Sequence, residues 1–249
     1  MKKMNIYFCG LAACMLAMAS CTDNFDETNT NPNKITVSSG KLEASAMFEQ
    51  TLYGSANFFT YYSWFWCDEL IQHTAHTGGT TRQEHRYFIG DQNWKALWNT
   101  YLRYASNDVN MIKLAEAQGA SYLQAVGLTM KVLFMSNLTD IYGDIPYKEA
   151  FMAEEGIKQP VFDSQENVYQ QMCAELEEAN RIYASKPYVE EKNRKLDGMY
   201  NFDMTKWQKF NNSLYLRLLC RISGRKETIV DGTHNVAQKI TEIVHSQET

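Results

Sequence analysis

The sequence predicts an all-α fold assembled from successive helical hairpins. Two observations carry this prediction. Apolar residues recur at i, i+3 and i+4 in one segment after another, with Gly, Pro, Asn and Asp marking the intervals between them. One interval, around Gly119 and Ser121, is so short that the helices on either side must turn back on each other. Hairpin after hairpin is the grammar of tetratricopeptide-like repeats, although their usual Trp-Leu-Gly-Tyr and Ala-Phe-Pro consensus is not legible here.

The amino-terminal end is organised differently. Lys2 and Lys3 precede an apolar run from Ile6 to Ser20, roughly 15 residues where about 20 are needed to span a bilayer. Residues 1–20 therefore read as a secretory signal. Ala19 and Ser20 stand before Cys21, and the polar stretch Thr22-Asp-Asn-Phe-Asp-Glu27 follows at once. This is the layout of a bacterial lipoprotein, with Cys21 as the acylated first residue. Leu11-Ala-Ala-Cys14 matches the local box better, but processing there would leave the apolar Met15 to Ser20 on the mature end. Several acyl chains together give durable anchoring, whereas one alone binds marginally. Residues 21–39 form the lipidated tether, and residues 40–249 the helical domain. The net charge of −5 argues against nucleic acid as a partner.

From Lys41 to about Ile71 the pattern is helical, with Ala44, Phe48, Leu52, Ala56 and Phe59 on one stripe. Phe58 to Trp66 carries more aromatic surface than one helix face needs, either as core or with one or two rings facing a ligand. Gln72 to Asp91 has no amphipathic period, and a loop this long in a compact chain is more often functional than idle. It holds His73, His76, Arg82, Gln83, His85, Arg86 and Tyr87, with Trp94 just beyond. These are donors and acceptors suited to sugar hydroxyls, and rings suited to the C–H face of a sugar. Trp64, Trp66, His73, Arg82, Gln83, Arg86, Tyr87 and Trp94 are accordingly the candidate ligand-binding residues. The three histidines lack a metalloprotease-type H-E-x-x-H arrangement, so neither a metal nor another cofactor is expected.

Trp94 to Ala117 is the next helix, with Leu97, Tyr101, Tyr104, Val109 and Ile112 or Leu114 inward. Gly119 breaks it, and Ser121 is expected to cap the central helix. There Tyr122, Ala125, Val126, Thr129, Val132, Leu133 and Ser136 keep the helical period, while Leu128, Met130, Phe134 and Met135 fill the other sides. Such a helix is buried on more than one face. It stops where Gly143 and Pro146 interrupt the ladder and Asp140 and Asp144 can bond the turn. Asp163 with Glu166 reads as a capping box opening a helix with Val168, Met172, Leu176, Ala179 and Tyr183 inward and Glu175, Glu177 and Glu178 solvated. A polar loop, Lys186 to Gly198, follows. Asp203 caps a helix with Trp207, Phe210, Leu214, Leu218 and Ile222 at core spacing, and a last helix runs from about Thr233 to His245. Cys67, Cys173 and Cys220 are widely spaced within these patterns, so they read as small buried hydrophobes and not as a disulfide framework.

Three stretches carry a family resemblance. Thr139-Asp-Ile-Tyr-Gly-Asp-Ile-Pro-Tyr-Lys-Glu-Ala150 resembles the "tDxYGdvPYxeA" signature of the SusD/RagB family of nutrient-binding outer-membrane lipoproteins of Bacteroidetes. Phe25-Asp-Glu-Thr-Asn-Thr-Asn-Pro-Asn33 resembles its opening "FdeiNtNPN", and Asn212-Ser-Leu-Tyr-Leu-Arg-Leu-Leu-Cys-Arg-Ile-Ser223 its "NSLkLRLamRIS" helix. The resemblance implies a SusD-like fold of tetratricopeptide-like helix pairs. Members of the family are about twice this length, so it also implies an amino-terminal portion that lacks the later half of the fold. The signature residues Asp140, Tyr142, Gly143, Asp144 and Pro146 are expected to be structural or partner-facing.

The function implied is binding, not catalysis. A cell-surface, lipid-anchored outer-membrane protein would capture oligosaccharides and deliver them to a SusC-like TonB-dependent transporter. The alternative is a helical-repeat scaffold or peptide-binding lipoprotein of the same complex. A glycoside hydrolase would need two acids held across the bond cleaved, and Asp68, Glu69 and Glu84 sit in no motif that positions such a pair.

Overall fold

Six helices of more than ten residues follow one another in the computed structural model, which describes residues 42–78 and 84–246. The signal, the tether with Cys21, and the loop residues Arg82 and Gln83 lie outside the described residues. From Glu43 onward the described chain belongs to one unit. Helix α1 (Ala44–Tyr62) continues through a π-helical turn at Ser63–Cys67 into a last α turn at Asp68–Leu70. Helices α2 (Asp91–Ala117), α3 (Ser121–Tyr142), α4 (Gln165–Ala184), α5 (Met204–Arg221) and α6 (Val236–Ser246) complete it. Among the described residues there is no strand, only isolated antiparallel bridges at Ile145–Asp163 and Ile229–Asn235. The all-α reading holds.

Cross-helix contacts give the directions. The Ala44 N–H donates to Gln118 Oε1 while Phe59 packs on Tyr101, so α1 and α2 run antiparallel. Thr129 meets Tyr183, and Asp140 meets Tyr169, so α3 and α4 are antiparallel too. Along α3 and α5 the contacts advance together, Thr129 to Asn211, Asn137 to Arg217 and Asp140 to Arg221, which makes that pair parallel. Helix α3 therefore lies in the middle, against α2, α4 and α5, and buries residues all round its axis as its composition demands. Phe48 of α1 closes the stack by packing on Phe202 and Trp207.

Several local readings need correcting. On α1, Ala56 is exposed and Leu52 and Phe59 are half-buried, whereas Phe48, Thr51 and Ser55 are buried. Repeated steps of four residues drift by roughly 40° each around a helix of 3.6 residues per turn, so a core stripe has to alternate fours with threes. Ser121 is the first helical residue and makes no cap; the cap position is Ala120. Ser164, not Asp163, caps α4 by accepting from the Asn167 N–H. Asp163 accepts instead from the N–H groups of Tyr147 and Lys148, tying the signature turn to the start of α4.

The acidic face of α4 is only partly solvated. Glu175 pairs with Lys131 at 2.6 Å and accepts from the Tyr147 hydroxyl, and Glu177 pairs with Lys239 at 2.6 Å, because α3 and α6 bring cations to it. Of the three cysteines, Cys173 is buried, but Cys67 and Cys220 are exposed. Asp203 caps α5 as expected, accepting from Thr205 and Lys206.

Candidate functional site

The π-helical turn decides how the aromatic stretch is displayed. Widening the helix at Ser63–Cys67 places Trp64 outward, 53% exposed, and Trp66 inward, 6% exposed. Rings four residues apart stack along the helix: Phe58 on Tyr62 at 4.3 Å, Tyr61 on Phe65 at 5.2 Å, and Tyr62 edge-on to Trp66 at 5.7 Å.

Trp66 then hands the contact to α2. Its ring lies 5.1 Å from Trp94, which meets Tyr142 at 6.3 Å; Tyr142 meets Trp98 at 5.0 Å, edge to face. Trp98 ends the series with a near-parallel stack on Phe162 at 6.2 Å. The result is a ribbon of five rings from three helices and one loop, with Trp94 and Phe162 reaching solvent. Such offset and edge-on pairs are the favoured aromatic geometries.

Polar groups flank the start of the ribbon. Asn93 donates to Glu84 Oε1 at 3.2 Å, and His85 Nδ1 lies 3.6 Å from Glu69. Glu69 and Glu84 are both buried. Tyr87 is exposed with a left-handed backbone, and His73 and Arg86 are exposed on the same connection. Of the candidate ligand residues, the structure thus brings Trp66 and Trp94 together and leaves Trp64, His73, Arg86 and Tyr87 exposed to solvent. Sequence reasoning missed Trp98, Tyr142 and Phe162 as ribbon members. The spacing of Trp94 and Trp98, four apart on one helix face, was a usable signal. Phe162 sits in a loop with no periodic signal at all.

Comparison with known proteins places the fold in a family. A SusD-like family model described as "starch-binding associating with outer membrane" matches residues 32–248. The chain belongs to the SusD-like family. A SusD homologue from Bacteroides fragilis superposes with a TM-score of 0.61 at 23% identity, covering 82% of this chain and 40% of that one. A SusD/RagB family protein from Bacteroides thetaiotaomicron gives 0.66 at 17% identity, covering 82% and 43%. A chitin-binding SusD homologue from Flavobacterium johnsoniae gives 0.52 at 25% identity, covering 63% and 31%. The SusD-like chain described here thus spans less than half the length of those proteins. No curated protein matches it in sequence. Among the described residues no helix is long and apolar enough to cross a membrane.

Two further features of this SusD-like chain lie apart from the ribbon. A cleft of about 450 Å³ opens between the signature and the end of α5, lined by Asp140, Asp144, Gln165, Tyr169, Arg221 and Arg225 among others. Its charges are mixed and already matched: Arg221 pairs with Asp140 at 3.0 Å and Arg225 with Glu166 at 3.4 Å. Near α6, Asp231, His234 and Glu242 have ligand atoms within 4.8 Å of one another, a spacing that suits a cation. Lys239 already answers that charge: its ammonium lies 3.1 Å from Asp231, 2.9 Å from Glu242 and 2.6 Å from Glu177.

Proposed function

We propose that this SusD-like protein is a lipid-anchored outer-membrane binding protein that captures neutral oligosaccharides on the aromatic ribbon and passes them to a SusC-like TonB-dependent transporter. One observation carries the reading: the rings of Trp66, Trp94, Tyr142, Trp98 and Phe162 form a continuous series with solvent access at Trp94 and Phe162. A pyranose lays its C–H face on such rings. The family description and the chitin-binding relative favour a glycan over other nutrients. The loop residues His73, Arg82, Gln83, Arg86 and Tyr87, together with Trp64, would add contacts from the rim, and Cys21 would carry the anchor.

The reading is of binding without catalysis. Glu69 and Glu84 are each 5% exposed and engaged with their own neighbours, which does not suit them to stand across a bound glycosidic bond.

Titration of the protein with maltoheptaose, chitohexaose and a panel of further neutral oligosaccharides, followed by tryptophan fluorescence, tests it. Saturable binding of at least one supports the reading. Binding of none across the panel overturns it.

A further inference from the structure

The family signature is expected to build a turn, and most of it does. Gly143 leaves α3 with φ +78°, Thr139 Oγ1 donates to the Gly143 carbonyl at 2.7 Å, and Asp140 is held by Tyr169 and Arg221. Tyr142 does something else. As the last residue of α3 its side chain points away from that turn, toward α2. Its ring stands edge-on between two tryptophans, 5.0 Å and 87° from Trp98, 6.3 Å and 73° from Trp94. Its hydroxyl donates to the main-chain carbonyl of Trp94. Burial pushes that hydroxyl's pKa upward, opposed by a hydrogen bond from the Trp98 main chain. One phenol therefore touches both tryptophans through ring and backbone.

We propose that Tyr142 is a positioning residue for the ribbon: it sets the separation and tilt of Trp94 and Trp98, so the signature shapes the ligand surface as well as the turn. This rests on the ribbon being the ligand platform. The physical reason is that an indole on the first turns of a helix has rotamers to choose from, and an edge-on ring wedged beside it removes the alternatives. A hydroxyl bonded to the same backbone fixes the wedge against the helix that carries both indoles.

Three variants test it in the full chain: Tyr142→Phe, Tyr142→Leu and, as a control for the turn, Asp140→Asn. The readouts are near-ultraviolet circular dichroism without ligand, urea unfolding, and affinity for maltoheptaose and chitohexaose. Tyr142→Phe keeps the ring and loses the hydroxyl bond, so affinity is expected to fall by up to about fivefold, the full worth of one net hydrogen bond holding the wedge. Tyr142→Leu is expected to change the tryptophan bands and to weaken binding by more than tenfold while far-ultraviolet helicity is retained. Asp140→Asn is expected to lower stability with the tryptophan bands and affinity of the folded protein unchanged. Wild-type bands and affinity in both Tyr142 variants would overturn the proposal. If the wild type binds no oligosaccharide, the ligand reading fails by itself, and unchanged tryptophan bands in Tyr142→Leu would still refute the positioning role.

Discussion

Asp140 and Arg221 meet at 3.0 Å across the ends of α3 and α5, and each belongs to a different family motif. Tyr169 of α4 completes the clasp, its hydroxyl donating to the other oxygen of Asp140 at 2.6 Å. One turn away, just ahead of the signature, Arg217 donates to Asn137 Oδ1 at 2.9 Å, so the contact between the two helices continues for about one helical turn. The motifs are thus two halves of one contact between parallel helices. Asp140→Ala removes the Tyr169 hydroxyl's acceptor and the counter-charge of Arg221, and is expected to cost about 1.5–3 kcal/mol, the range for hydrogen bonds to a charged group. Urea unfolding would read this directly, and a loss under about 0.5 kcal/mol, the level of an ordinary exposed pair, would show that the clasp is not structural.

Gly143 adopts φ +78° and ψ −118°, a region closed to residues with a Cβ. Gly143→Ala is expected to destabilise by about 1–3 kcal/mol through backbone strain, since nothing crowds the site and the conformation is the whole penalty. An unchanged unfolding midpoint would contradict this.

Helix order, the central position of α3 and the turn at Gly143 were all legible in the sequence, because each follows from periodicity or from a residue with special backbone freedom. The ribbon was legible only in part. Trp94 carried its signal in the loop that precedes it, whereas Phe162 and Tyr142 join through tertiary placement that no local pattern encodes. Asp108 shows the same limit in the core: it falls within the helical run of α2 among Asn107 and Val109, yet it is fully buried where the neighbouring polar positions are not.

Asp108 has no hydrogen-bond partner at either oxygen, and burial pushes its pKa well above the ordinary carboxylate value of 3.8. The folded chain therefore holds a proton that the unfolded chain releases. Its contribution is fully present below pH 3.8 and is lost as pH rises toward the elevated folded value. Asp108→Asn is expected to stabilise the protein more at pH 8 than at pH 5, measured by urea unfolding at both. Equal effects at the two pH values would refute a buried neutral acid.

Lys239 gathers Glu177, Asp231 and Glu242 and joins α6 to α4. For Asp231, burial raises the pKa, but hydrogen bonds from His234, Thr233 and Lys239 outweigh it and hold the carboxyl below its usual range. That stabilisation is present above pH 3.8 and is lost as pH falls. Lys239→Met leaves the acids without their cation and is expected to cost about 3–5 kcal/mol at neutral pH, shrinking below pH 3.8 as Asp231 takes up its proton. Thermal unfolding at pH 7 and at about pH 2.5, below the ordinary carboxylate range, checks the sign; a penalty that grows in acid would contradict it.

The ligand platform is tested most directly by calorimetric titration of Trp94→Ala and Phe162→Ala with whichever oligosaccharide the wild-type protein binds. These are the two most exposed rings of the ribbon, and Phe162 is 59% exposed, so its removal leaves the core intact. Each variant is expected to stay folded and to bind at least about tenfold more weakly, the behaviour of an anchoring aromatic at a recognition surface. Wild-type affinity in both would place the ligand elsewhere on the protein.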